Sequence, residues 1–366
     1  MNAMSRAAVL TAPRTIEMVE FRLPAIGPDD GLLRIEACGV CASDLPIYRE
    51  GKGGYDLPAI LGHEIVGTIE QVGRDASLRW NVREGDRIVV ERWIPCGHCD
   101  FCYTGKYRFC VQQINGHRLF YGGAPTALAP SLWGGYAEYL YLHPHSVVYK
   151  ISSDLPARRA TLFTPLANAT SWLSNAGNVQ VGDTLVIQGP GQEGLAAVIA
   201  ARRAGASQII VTGLARDRRR LELAARLGAT ATIDVDAEDP VARVSELTEG
   251  RMADVILDVA ATTSSEPIRV AAEIAAPGAT VVLASRHRDV SGRTVSDLTI
   301  QKQITWRGVR GRERDSVVRA LRILEEDHGD IDSLATHAFP LDELEQAFKR
   351  LDDPSVVDAV HISIIP

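Results

Sequence analysis

The sequence predicts an α/β chain in which a doubly wound parallel sheet is inserted between two parts of a mainly β domain. Three observations lead there. A glycine-rich turn, GPGQEG at 189–194, directly follows an apolar strand and opens a helix. Strand and helix alternate from about residue 158 to about residue 305, the texture of a parallel sheet covered by helices. Up to about residue 155 the pattern is instead short strands broken by glycine and proline, as sheet segments read when no helices intervene.

Taken in order, the N-terminal MNAMSRAAVLTAPRTIEM reads as a first strand, followed by strands in LLRIEAC, EIVGTIEQVG, DRIVVE and GGYAEYLYL. TLVIQ (184–188) is the first strand of the inserted sheet and precedes a helix from about Glu193 to Ala204. QIIVT (208–212) leads into a helix over 217–227, and ATATID into a helix that Asp239 caps and Pro240 starts, the residue types favoured at those two positions. ADVILDVA and ATVVLAS continue the series. ITWRGV, near 305, is read as the return to the β domain, followed by helices in ALRILEEDHG and LDELEQAFKRL and a last strand in VDAVHISI. The boundaries are therefore 1–157 and 307–366 for the β domain and 158–306 for the insertion.

A chain of 366 residues is longer than a single core usually grows. The hydrophobic share of 46% and charged share of 23% are those of a soluble globular protein. A net charge of −7 disfavours nucleic acid as the main partner. No apolar run approaches the ~20 residues that span a bilayer, and the N-terminus lacks the features of a signal peptide. The expectation is a cytoplasmic protein that acts on small molecules.

Four of the six cysteines, Cys96, Cys99, Cys102 and Cys110, fall within fifteen residues in C-x2-C-x2-C-x7-C spacing. Four thiolates on short loops close a tetrahedral zinc site with no position left for water. Such a site is structural. A cluster of this kind also points to a reducing compartment rather than a disulfide framework. The alternative is a set of disulfides or buried thiols. The lobe carrying the cluster spans about 92–115.

Gly189, Gly191 and Gly194 have G-x-G-x-x-G spacing between a strand and a helix. That arrangement permits a tight turn, close approach of backbone to a pyrophosphate and close helix–strand packing, with the anion at a helix N-terminus. The turn segment, Gly189, Gly191, Gln192, Glu193 and Gly194, is assigned to a dinucleotide. The next strand ends at Gly213 where a ribose-binding carboxylate would stand, and Arg216 follows. A missing carboxylate and a nearby guanidinium favour NADP over NAD. Arg218, Arg219 and Arg220 are alternatively the solvated face of a helix, with Glu222 as partner.

Two further segments, EACGVCASD (36–44) and LGHEIVG (61–67), carry Cys41, His63 and Glu64. Thiolate, imidazole and carboxylate are all zinc ligands, but spacing alone leaves open whether they meet. Cys38 is read as packing.

GVCASD, GHEIVG, CGHCDFCYTGKYRFC, GGYAEY and GPGQEG occur in the order found in the zinc-containing medium-chain dehydrogenases/reductases, and the chain resembles that superfamily over nearly its whole length. The resemblance implies a GroES-like catalytic domain, a Rossmann domain and a cleft between them. It implies two zinc ions per chain: a structural one on Cys96, Cys99, Cys102 and Cys110, and a catalytic one on Cys41 and His63, with Glu64 entering or leaving the shell. The catalytic Zn²⁺ acts as a Lewis acid while hydride passes between nicotinamide C4 and a zinc-bound secondary alcohol or carbonyl. Ser43 hands on the alcohol proton, and Asp44 orients the metal site. A homodimer or homotetramer is implied as well.

The chain departs from the family pattern twice. Thr164 stands where relatives often place a Cys or Glu ligand, and Pro46 where a relay histidine often follows the S-D pair. Ile47, Tyr48, Trp93, the segment 117–133 (with Leu119, Phe120, Tyr121 and Trp133) and Trp172 are the expected cleft lining, which suggests an apolar or cyclic substrate. Simple core packing is the other reading of these side chains. His117, Arg118 and Asn168 add possible polar recognition. Two alternatives to a zinc-dependent alcohol dehydrogenase or ketone reductase remain: a zinc-independent reductase of activated double bonds on the same fold, and a non-catalytic dinucleotide-binding protein.

Overall fold

The computed structural model describes residues 3–51, 56–110, 118–287, 293–326, 330–353 and 355–366. His117 and the last residues of the cysteine lobe lie outside them. The chain divides into two compact units: Met1–Phe163 with Leu324–Glu326 and Ala335–Pro366, and Thr164–Ile323 with Asp327–Leu334.

The first unit contains β1 (Met4–Ala12), β2 (Thr15–Arg22), β3 (Gly31–Gly39), β4 (Ala59–Ile60), β5 (Glu64–Val72), β6 (Arg87–Val90), β7 (Tyr139–Leu142) and β8 (Val148–Lys150). The second contains β9 (Thr184–Gln188), β10 (Gln208–Gly213), β11 (Ala231–Asp234), β12 (Ala253–Asp258), β13 (Ala275–Leu283) and β14 (Thr305–Gly308). β15 (His337–Pro340) and β16 (Ile362–Ile365) return to the first unit.

In the first unit, β2-β1-β4 form one sheet, and β15-β16-β3-β5-β6-β8 form another, with β7 added beside β3. The antiparallel pairing of β3 with β5 matters most for function, because its register sets Gly39 opposite Glu64. β16 pairs with the other edge of the same stretch, Ser363 opposite Gly39. The core beneath these sheets gathers Leu33, Ile35, Ile65, Ile88, Tyr136 and Phe348; each fully buried large aliphatic side chain contributes about 1.5–3 kcal/mol.

The second unit is one six-stranded sheet in the order β11-β10-β9-β12-β13-β14, parallel throughout. The order reverses direction beside β9, the switch point at which doubly wound sheets bind dinucleotides. Asp239 caps the helix Pro240–Leu247 by accepting from the Val241 amide.

One expected element changes sheet. ITWRGV forms β14, which pairs in parallel with β13 as the sixth strand of the inserted sheet, and the chain re-enters the first unit only at Leu324. The local pattern of four apolar and polar residues specifies a strand but not its neighbour.

Candidate functional site

The four-cysteine cluster is assembled by a short helix, Asp100–Tyr103, and a single turn at Tyr107–Phe109. One sulfur from each of Cys96, Cys99, Cys102 and Cys110 lies within 4.8 Å of the others. Cys96 and Cys102 are 3.8 Å apart, and Cys99 and Cys102 3.5 Å. A tetrahedron with Zn–S bonds of about 2.3 Å requires S–S separations of about 3.8 Å, so the four thiols fit zinc. None of the six cysteines forms a disulfide. Burial pushes the Cys102 thiol up to about 12. At Cys96 burial acts the same way, but hydrogen bonds from the His98 and Cys99 amides and from neighbouring thiols outweigh it and bring that group down to about 6. A bound cation would favour the ionised form at all four.

The second group also converges. Cys41 Sγ, a ring nitrogen of His63 and a carboxylate oxygen of Glu64 lie within 4.8 Å of one another. His63 and Glu64 sit at the start of β5, and Cys41 lies two residues beyond β3, so the β3–β5 pairing brings them together. Space for the carboxylate depends on Gly39, where a Cβ would stand 2.2 Å from Glu64 Oε2. Gly62, with φ +86°, holds the chain beside His63; a Cβ there would meet the Tyr136 ring at 2.8 Å.

Around this trio, Asp44 is fully buried and its Oδ1 lies 3.5 Å from His63 Nδ1. Tyr136 Oη donates to Asp44 Oδ2 at 2.8 Å. Ser43 Oγ donates to Cys41 Sγ at 3.2 Å. Burial takes His361 down to about 3, and this neutral ring lies 3.8 Å from Glu64 Oε2. Sequence reasoning missed Tyr136 and His361. The GGYAEY motif marked the first without assigning it a partner, and nothing local marked the second.

The glycine turn has the form the sequence predicts. Gly189 has φ +106°. A Cβ on Gly194 would lie 2.0 Å from the Gly189 carbonyl oxygen, whereas one on Gly191 would meet nothing within 4 Å. Gly194 thus seats the helix Gln192–Ala204 against the turn, and Gly191 leaves an open approach to backbone. A cavity of about 470 Å³ opens there. It is lined by Gln188–Gly191, by Gly213, Arg216, Asp217 and Arg220 after β10, by Asp236 after β11, and by Val259–Thr262 after β12. The residues present fit a dinucleotide. Sequence reasoning missed Asp217 and Asp236; of the run Arg218–Arg220, which it left between phosphate contact and solvated helix face, Arg220 lines the cavity. Asp217 accepts from the Leu214 amide and Asp236 from the Ala215 amide. Arg218 pairs with Glu222 at 3.0 Å on the exposed helix face. Gln192 and Glu193 do not line the cavity; the Glu193 side chain turns instead to Asn168, whose Nδ2 donates to Oε1 at 3.0 Å.

Residues 27–153 match the alcohol dehydrogenase GroES-like domain, and residues 194–326 match the zinc-binding dehydrogenase family. A protein of Mycobacterium tuberculosis named a probable alcohol dehydrogenase is 42% identical over 329 residues, 88% of each chain. The chain belongs to the zinc-containing medium-chain dehydrogenase/reductase superfamily. Its fold is shared with an alcohol dehydrogenase from Thermotoga maritima, with TM-score 0.88 and 26% identity over 100% of both chains. It is shared also with a Sinorhizobium meliloti protein described as a putative zinc-binding dehydrogenase bound to NADP, with TM-score 0.84 and 25% identity over 100% of both. The protein is an oxidoreductase of the alcohol dehydrogenase type, and its second half matches the zinc-binding dehydrogenase family.

In this dehydrogenase most of the expected substrate lining is core. Ile47, Tyr48, Leu119, Tyr121 and Trp133 all belong to the buried cluster of the first unit. Tyr48 stacks on Phe348 at 4.9 Å, and Tyr121 Oη shares a 2.5 Å hydrogen bond with Ser146. Trp172 donates to the Gly311 carbonyl at 2.8 Å. Trp93 and Phe120 remain as a tilted pair 5.6 Å apart, with Arg118 4.7 Å over the Trp93 ring. Thr164 is buried, and its hydroxyl has no hydrogen-bond partner among the described residues. No described helix is long and apolar enough to cross a membrane.

Proposed function

We propose that the enzyme is a zinc-dependent, NADP-linked dehydrogenase of secondary alcohols that also reduces the corresponding ketones. The observation that carries this reading is the meeting of Cys41, His63 and Glu64 within 4.8 Å, since thiolate, imidazole and carboxylate with an open position form a catalytic rather than a structural zinc site. Zinc there would supply Lewis acidity, and the nicotinamide would accept or return hydride.

The chain's own residues have the following roles in this reading. Cys41 and His63 hold the metal, and Glu64 supplies a third ligand that Gly39 leaves room for. Asp44, braced by Tyr136, fixes the tautomer and orientation of His63. Ser43 moves the substrate proton outward; with Pro46 in place of a histidine, water receives it. Cys96, Cys99, Cys102 and Cys110 hold a second, structural zinc. Gly189, Gly191 and Gly194 carry the pyrophosphate, Gln192 and Glu193 stand beside it in the first turn of the helix, and Gly213 with Arg216 takes the adenosine 2′-phosphate. Asp236 accepts from the Ala215 amide, while Asp217 accepts from the Leu214 amide and pairs with Arg220 at 3.4 Å, so Arg216 is the guanidinium assigned to the anion. Trp93 and Phe120 favour an apolar or cyclic substrate. Unpaired cysteines held for metal suit the cytoplasm.

Metal analysis of the purified protein should return two zinc ions per chain, and NADPH should bind at least tenfold more tightly than NADH. Arg216→Ala should remove most of that preference. Equal affinities in the wild type would reject the 2′-phosphate assignment. For quaternary structure we propose a homodimer or homotetramer; a light-scattering mass equal to the 39.7 kDa chain would overturn it.

A further inference from the structure

Glu193 is a carboxylate in the first turn of the helix that follows the glycine turn, yet it does not face the cavity formed by that turn. Its Oε1 accepts from Asn168 Nδ2 at 3.0 Å. Its Oε2 is buried without a hydrogen-bond partner among the described residues, and so is Asn168 Oδ1. Buried polar atoms left without partners are costly. One on each member of a hydrogen-bonded pair marks a place where a ligand supplies the complement.

The sheet topology says which part of the ligand that is. A dinucleotide crosses a doubly wound sheet at the switch point, one nucleotide on each half. The cavity walls contributed by β10 and β11 lie on one side of β9 and suit the adenosine. The groups acting on Glu193 come from elsewhere: Asn168 from the helix Phe163–Ser171, and Arg312 from the segment that follows β14, at the opposite edge of the sheet. That half is left for the nicotinamide riboside.

We propose that the Glu193 carboxyl is the counter-ion of the oxidised nicotinamide ring, losing its proton to solvent when NADP⁺ binds and keeping it when NADPH binds. This rests on the dinucleotide reading of the glycine turn. The oxidised ring carries a positive charge and the reduced ring none. A neutral acid beside the reduced ring and a carboxylate beside the oxidised one are therefore the two favourable states. Burial pushes Glu193 up to about 8, while the Asn168 hydrogen bond and the charge of Arg312 pull it down. The free enzyme thus holds the proton at neutral pH. Binding of a cation lowers that pKa, so affinity for NADP⁺ rises with pH up to about 8 and is level above it.

The test measures the dissociation constants of NADP⁺ and NADPH by calorimetry between pH 6.5 and 9. The 2′-phosphate, common to both, cancels in their ratio. In the wild type, the preference for NADP⁺ over NADPH should increase roughly tenfold or more across that range, about one unit of pKa. Calorimetry in buffers of different ionisation enthalpy should report proton release with NADP⁺ alone. Glu193→Gln, which keeps the shape and the Asn168 contact, should flatten the ratio. Asn168→Ala removes a hydrogen bond that favours the ionised form, so it should move the midpoint to higher pH. A ratio independent of pH in the wild type, or a slope that persists in Glu193→Gln, would overturn the inference while leaving the dinucleotide site standing. Failure of either cofactor to bind would overturn that reading and this inference with it.

Discussion

Cys41→Ser should take the zinc content from two per chain to one and lower kcat by about a thousandfold or more. The magnitude follows from losing several kcal/mol of charge stabilisation at the reacting oxygen, at 1.36 kcal/mol per factor of ten. The structure makes this a clean substitution. Serine is close to cysteine in size, and Cys41 is only half-buried, two residues beyond β3. The thiol of Cys41 contributes nothing to the separate four-cysteine cluster, so the structural zinc and the melting temperature should be preserved. Atomic-absorption or mass-spectrometric metal analysis, run with turnover of a panel of secondary alcohols, checks both halves. Unchanged turnover in the variant would reject zinc-dependent alcohol oxidation and leave reduction of activated double bonds as the activity to pursue.

Gly194→Ala should cost about 2–4 kcal/mol of stability and abolish measurable NADPH binding. An added Cβ would lie 2.0 Å from the carbonyl oxygen of Gly189, a backbone atom that cannot rotate away. The helix Gln192–Ala204 and the turn would have to separate, which is the overpacking situation at a site without slack. Gly191→Ala separates fold from function at the same turn. Its Cβ meets no protein atom within 4 Å, and its φ of −74° suits alanine. The protein should therefore keep its melting temperature and lose cofactor affinity by about a hundredfold, because the methyl group fills the space left for the pyrophosphate. Thermal denaturation and NADPH fluorescence titration distinguish the two variants. Equal affinity in Gly191→Ala and wild type would place the dinucleotide elsewhere.

These two sites differed in how far the sequence could reveal them. The dinucleotide turn is a local object: strand, turn and helix follow one another without interruption. Its glycine spacing therefore carries most of its meaning before any folding is considered. The same holds for the four-cysteine cluster, whose ligands lie within fifteen residues. Cys41 and His63 are different. They are ligand types flanking two separate strands, Cys41 after β3 and His63 just before β5, and only the register that sets Gly39 opposite Glu64 brings them within reach of one another.

Other side chains show the same division. Tyr48, Tyr121 and Trp133 are aromatic at positions where a substrate pocket was expected, but they pack into the core of the first unit. Composition cannot tell a lining aromatic from a buried one. Glu193 was grouped with the cofactor-binding turn by its position, and its orientation toward Asn168 emerged only from the packing of two helices. ITWRGV was legible as a strand, yet its place beside β13 was not, since a short strand's partner is set by what lies next to it in space.

By itself, then, the sequence determined the order of strands and helices, two groups of residues of metal-ligand type, and the glycine turn between a strand and a helix, because each follows from interactions within a few residues or from motif order. The tertiary structure alone decided that Cys41, His63 and Glu64 converge, that Tyr136 and His361 surround them, that β14 closes the parallel sheet, and that Glu193 turns away from the cavity. Those depend on pairings between residues far apart in the chain, where burial and register rather than local preference choose the neighbour.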